Sequence, residues 1–146
     1  DMAIRALSDG WTEAPDEEVR PLARIPLLAV CAPSLVADRV PDLQALPWIV
    51  GEDSPWDDLQ FTTTGIDPAR LNRVKVGSPH LEMSACRQGL GAMLATEIIC
   101  RADLEAGRLV RLPLAGLPVV TYAAVLPLGP RREAVDQFAD WLETIF

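Results

Sequence analysis

The sequence has one histidine and three cysteines, and no run of lysine or arginine. Each shortage removes a class of function. Grip on nucleic acid rests on basic side chains that neutralise phosphates. With 13 Lys and Arg against 21 Asp and Glu, the formal net charge is −8, so this stretch alone is a poor DNA binder and its acidity serves solubility. His80 is the single imidazole and there is no CxxC, so a closed zinc site lacks ligands, and neither metal nor other cofactor is expected. Cys31, Cys86 and Cys100 are odd in number and sit in apolar stretches. They read as small buried hydrophobes of a reducing cytoplasm. A redox sensor needs an exposed, acidified thiol, and only Arg87 and Arg101 stand beside these cysteines. The longest apolar runs, such as residues 25–33, are too short to cross a bilayer, so no membrane partner is expected. No signal peptide is visible. The numbering opens at Asp1 inside a strand-like pattern without an initiator Met, so a missing N-terminus is expected.

What is present is enough for a core. Hydrophobic residues make up 49% of the 146, which suits one domain or two small lobes. Residues 1–7 read as a short strand, followed by a polar loop to about Pro21. Residues 25–32 form a nearly continuous apolar run closed by Pro33, and residues 119–126 form a second between Pro118 and Pro127. Such runs suit strands buried on both faces, the habit of parallel or mixed sheets. Between them strands are expected at 48–50, 73–76, 90–95 and 108–112, and a short helix at 97–101. A turn or short helix opens at Pro33-Ser34, residues 56–61 are ambiguous, and residues 62–65 read as a loop. Ser78-Pro79 is a helix start, with serine capping the free amides and proline at the first helical position; Gly89 stops that helix. Strand and helix alternate, so the fold class is α/β. In the C-terminal helix Val135, Phe138, Trp141, Leu142 and Ile145 fall on one stripe, which the sheet holding residues 119–126 is expected to cover.

Enzyme chemistry finds little support. Cys86 and His80 are the best nucleophile pair, but six positions along a helix put them on different sides, and no carboxylate orients the imidazole. Gly89-Leu90-Gly91 follows a helix and precedes a strand, the reverse of a phosphate-binding fingerprint.

The ordered set DMAIR, AVCAPSL, LPWIV, QGLGAMLA, ADLEAGRLVRL, TYAAVLP and FADWL resembles the effector-binding domain of LysR-type transcriptional regulators. The resemblance implies a two-lobed α/β domain, like a periplasmic binding protein, with two crossover strands and a small effector in the cleft. On that reading residues 1–33 hold part of the first lobe and the first crossover, residues 34–118 the second lobe, and residues 119–146 the second crossover and the C-terminal helix of the first lobe. The first lobe is then incomplete, lacking two earlier strand–helix units, and the winged helix-turn-helix that reaches DNA lies outside the chain. The implied partners are a small organic acid or amino acid and further copies of the protein, as dimer or tetramer. A solute receptor of a transport system is the competing reading.

Seven residues are candidates for effector contact. Ser78, Pro79 and His80 form a helix N-terminus, attractive to carboxylates, or an ordinary cap. Pro33 and Ser34 follow the first crossover, where Ser34 contacts effector or caps the next turn. Arg5 clamps a carboxylate or pairs with Asp9 or Glu13. Tyr122, the only tyrosine, needs a partner for its hydroxyl in ligand, water or backbone. Trp48 and Trp56 read as core.

Overall fold

The computed structural model describes residues 2–7, 14–37, 41–51, 58 and 60–146. In chain order the strands are β1 (Ala3–Leu7), β2 (Glu17–Cys31), β3 (Pro47–Gly51), β4 (Asn72–Val76), β5 (Met93–Thr96), β6 (Val110–Arg111) and β7 (Val119–Pro127). The helices are α1 (Pro79–Arg87), α2 (Glu97–Glu105) and α3 (Glu133–Ile145). One sheet runs β1-β7-β2-β5, with β6 also on β2, and β3 and β4 form a parallel pair. The chain divides into two compact units, residues 1–25 with 119–146 and residues 26–118.

In the second unit β2 explains its own apolar run. Val30 belongs to one buried cluster, with Ile49, Met83, Cys86, Cys100 and Leu109. Its neighbours Ala29 and Cys31 belong to another, with Trp48, Phe61, Ile66 and Leu112. Successive strand residues face opposite ways, so both faces are covered and no polar residue is tolerated there. Trp48 is wholly buried, donates its indole N–H to the Leu43 carbonyl at 2.8 Å, and meets Phe61 edge-on at 4.8 Å. It is core, as its sequence context implies; Trp56 lies outside the described residues.

In the first unit β1 pairs antiparallel with β7, Ala3 opposite Val125 through Leu7 opposite Thr121. The Leu128 N–H reaches the Asp16 carbonyl at 2.7 Å and the Leu27 N–H reaches Pro118 at 3.2 Å, so β2 and β7 also run antiparallel. β7 thus lies beside the first half of β2, while the apolar run beyond it pairs with β5 and β6.

Three sequence expectations need correction. Residues 17–21, expected within a polar loop, are strand: Glu18 and Arg20 are half-buried there, and their charges are met by Arg131 and by Asp140 of α3. Pro21 is tolerated because β5 pairs only with residues 27–30 of β2, leaving a side where a missing N–H costs nothing. The expected strand at 90–95 shortens to Met93–Thr96; Ala92 makes only an isolated bridge to Trp48. In α3 the sheet does not cover the whole apolar stripe. Ala139 and Leu142 are buried and Val135 packs beside them, whereas Phe138, Trp141 and Ile145 are about half exposed.

Candidate functional site

The second unit carries the most clearly built candidate, the N-terminal turn of α1. Ser78 is extended (φ −160°, ψ 150°), and its hydroxyl accepts from the Leu81 N–H at 3.4 Å while its carbonyl takes the Glu82 N–H at 3.0 Å. Pro79 brings no N–H to a position that has no acceptor for one. The His80 amide is thereby left without a hydrogen-bond partner among the described residues. Pro79 and His80 are exposed and Ser78 is half-buried. An unsatisfied amide, the positive end of the helix dipole and an imidazole thus share one accessible turn, a combination suited to a carboxylate.

Of the other candidates, Pro33 and Ser34 share the second unit with this turn, and Arg5 and Tyr122 belong to the first. A Cβ placed on Gly89 would stand 2.8 Å from the Ser34 hydroxyl, so Ser34 sits at the far end of α1, about 13 Å from its start at 1.5 Å per residue. Pro33 and Ser34 are both exposed on a single 3-10 turn, Pro33–Leu35. In the first unit Arg5 stands opposite Ala123 and Tyr122 opposite Ala6. Directly opposed residues share a face and successive residues alternate, so Arg5 and Tyr122 project from opposite faces of the sheet. Arg5 is exposed and lies 3.6 Å from Glu17; the alternatives Asp9 and Glu13 lie outside the described residues. It lines a surface cavity of about 400 Å³ with Met2, Asp16, Glu17 and Val125.

The nucleophile pair is taken apart by burial. Cys86 is inaccessible, its thiol lies 3.6 Å from the Val30 carbonyl, and desolvation pushes its pKa up to about 12. His80 stands in solvent at the opposite end of the helix. Burial likewise raises Cys31 to about 11 and moves Cys100 upward. None is an activated thiolate. Among the described residues no three His, Cys, Asp or Glu side chains group to hold a metal ion, and no helix is long and apolar enough to cross a membrane.

Two electrostatic features escaped the sequence reading. Asp103, 1% exposed, binds Arg87 of α1 and Arg108 beyond α2, and the Arg87 bond above all holds its carboxyl below the usual range. Only the five-residue spacing to Arg108 hinted at it. In the first unit Arg20 and Arg131 join Glu18 of β2 to Asp136 and Asp140 of α3. Arg20 and Asp140 are 120 positions apart, beyond any local pattern.

Comparison with known proteins fits this picture. Residues 1–146 match the family described as LysR substrate binding domain. The chain is 31% identical over 126 residues to the AhcY transcriptional activator HvrB of Rhodobacter capsulatus, an alignment covering 84% of this chain and 43% of that protein. It is 28% identical over 141 residues to the uncharacterized HTH-type transcriptional regulator y4mQ of Sinorhizobium fredii, covering 85% and 44%. The chain thus spans less than half the length of these curated relatives. The AmpR effector binding domain from Citrobacter freundii superposes with a TM-score of 0.78 at 21% identity, covering 99% of this chain and 74% of that one. Full-length LysG from Corynebacterium glutamicum, solved with bound effector Arg, superposes with a TM-score of 0.75 at 21% identity, covering 98% and 50%. The α/β fold is that of LysR effector domains, themselves like periplasmic binding proteins, and the chain belongs to the LysR substrate-binding domain family.

Proposed function

We propose that this chain is the effector-sensing part of a LysR-type transcriptional regulator and that it binds a small organic acid or amino acid between its two lobes. The family match over residues 1–146 carries the reading. The α1 turn supports an anionic group, with the Ser78 cap and the open His80 amide meeting a carboxylate. Ser78, Pro79 and His80 form the core of the proposed site. Arg5 and Tyr122, on opposite sheet faces, do not serve one ligand together, and Pro33 and Ser34 stand apart. An amino-acid effector also suits the likeness to LysG, whose structure holds arginine.

Binding would act by favouring one arrangement of the two lobes. In the longer protein that preference would be passed to further copies, as dimer or tetramer, and to DNA through a winged helix outside residues 1–146. The proposal assigns no catalysis and places the protein in the cytoplasm. A transport receptor is the weaker alternative, since the curated relatives carry regulator names.

The test is a thermal-shift screen of small carboxylic acids, amino acids and aromatic acids against the full-length protein. A saturable rise in the unfolding midpoint with one class is expected. Equal indifference to all of them contradicts the reading.

A further inference from the structure

Two arginines share one carboxylate in the second unit, and the arrangement leaves part of each guanidinium unused. Asp103 of α2 is 1% exposed and accepts from Nε and Nη2 of Arg87 and from Nε of Arg108. The two arginine side chains are 46% and 57% exposed. Each therefore turns its Nε edge inward and its outer end to solvent. Arg108 also spends Nη2 on the Ala102 carbonyl, at a long 3.4 Å. Nη1 of neither arginine has a partner among the described residues.

Charge does not cancel at this cluster. Two guanidiniums against one carboxylate leave a surplus of one positive charge. The other acids of the two helices lie elsewhere. Glu97 is held by Arg111 at 2.7 Å. At 100° per residue Glu105 stands about 200° around α2 from Asp103, and Glu82 about 140° around α1 from Arg87. The first unit shows the opposite balance, where Arg20 and Arg131 face Glu18, Asp136, Asp140 and Glu143. Because Asp103 anchors both arginines from beneath, their outer ends have little side-chain freedom left to lose on meeting a ligand.

We propose that the outer ends of Arg87 and Arg108 form a binding site for a tetrahedral oxyanion, a phosphate group above all. A carboxylate offers two oxygens, which a single arginine fork fills. A phosphate offers three terminal oxygens and a larger charge, and two forks anchored side by side on one carboxylate can share it. Arg87 ends α1 about 13 Å from its start at 1.5 Å per residue. Oxyanion binding here and effector binding at the Ser78 turn are therefore separate events.

The probe is inorganic phosphate, titrated into the full-length protein at constant ionic strength and followed by the unfolding midpoint. Phosphate also stabilises proteins generally, by exclusion from their surface, so the variants carry the test. A saturable rise is expected in wild type, with apparent affinity at least about fivefold weaker in Arg108→Gln and in Arg108→Lys. Arg101→Gln, about 200° around α2 from Asp103, is expected to respond as wild type does. Lysine keeps the charge and loses the fork, so an undiminished response in Arg108→Lys overturns the proposal, as does an equal response in every variant. Wild-type protein supplies a second measurement should the variants fail to fold. Phosphate is expected to slow phenylglyoxal labelling of Arg87 and Arg108 severalfold, mapped by mass spectrometry, and to leave Arg101 unaffected; acetate is expected to protect none of them. Equal labelling of Arg87 and Arg108 with and without phosphate overturns the site. Glycerol 2-phosphate separates the sources: tighter binding than inorganic phosphate assigns a phosphorylated metabolite, equal or weaker binding assigns free phosphate, and either supports an oxyanion site.

Discussion

Asp103 receives both the Nε and the Nη2 of Arg87 on one carboxylate oxygen, at 2.9 and 2.6 Å, while Arg108 Nε occupies the other at 2.6 Å. The carboxylate is shut from solvent and the two arginines are about half exposed. It ties the end of α1 to α2 and to the turn leading into β6.

Asp103→Asn should therefore destabilise the chain by about 2 kcal/mol, read from urea unfolding. Fully buried pairs lose more when broken, but here both arginines can return to water. The folded carboxyl titrates below its ordinary value of about 3.9, so its contribution is present above that pH and is lost as pH falls through the lower folded value. The gap between wild type and Asp103→Asn is expected to hold from pH 5 to 8 and to close under about pH 4. A gap that does not change with pH contradicts the ion pair.

Gly89→Ala should cost about 1–2 kcal/mol. The backbone there has φ +77°, strained for any residue with a Cβ, and that Cβ would press on the Ser34 hydroxyl at 2.8 Å. Adding Ser34→Ala should recover the steric part and leave the backbone part. Full recovery in the double variant would mean that backbone conformation contributes nothing.

The three thiols should resist alkylation in the native protein at pH 8 and react together on unfolding, as followed by peptide mass spectrometry. Their folded values are raised by burial, to about 11 for Cys31 and about 12 for Cys86. Stability from keeping them neutral is thus present below about pH 8.5, where unfolded thiols begin to ionise, and declines as pH rises toward the folded values. Selective native labelling of Cys86 would contradict its burial.

The elements legible in the sequence were those with local causes. Ser78, Pro79 and Gly89 start and stop α1 through capping, a tolerated proline and a positive φ, all decided within a few residues. The apolar run ending at Cys31 announced a strand buried on both faces. The first half of β2 was hidden because pairing with β7, more than ninety positions away, makes Glu17–Arg24 extended, and no local preference reports that. Periodicity gave the apolar arc of α3 but not which half the sheet takes; Arg20, on another strand, sets that rotation. The candidate site was legible only as a turn. Ser34's separation from that turn depended on the distance along α1, and the opposite faces of Arg5 and Tyr122 on strand register.

Ser78→Ala in the absence of ligand should cost about 1 kcal/mol, the usual worth of a serine cap. His80→Ala, an exposed change, should stay within about 0.5 kcal/mol of wild type. Losses of 3 kcal/mol or more would make the turn a structural keystone instead of a recognition surface.

An effector met by the N-terminal turn of α1 would register in calorimetric titration of the full-length protein. The titrant is the acid or amino acid selected by thermal shift, and wild type is compared with Ser78→Ala and His80→Ala. A dissociation constant about tenfold weaker in at least one variant is expected, the equivalent of one lost hydrogen bond, with folding intact. Unchanged affinity in both variants would contradict it.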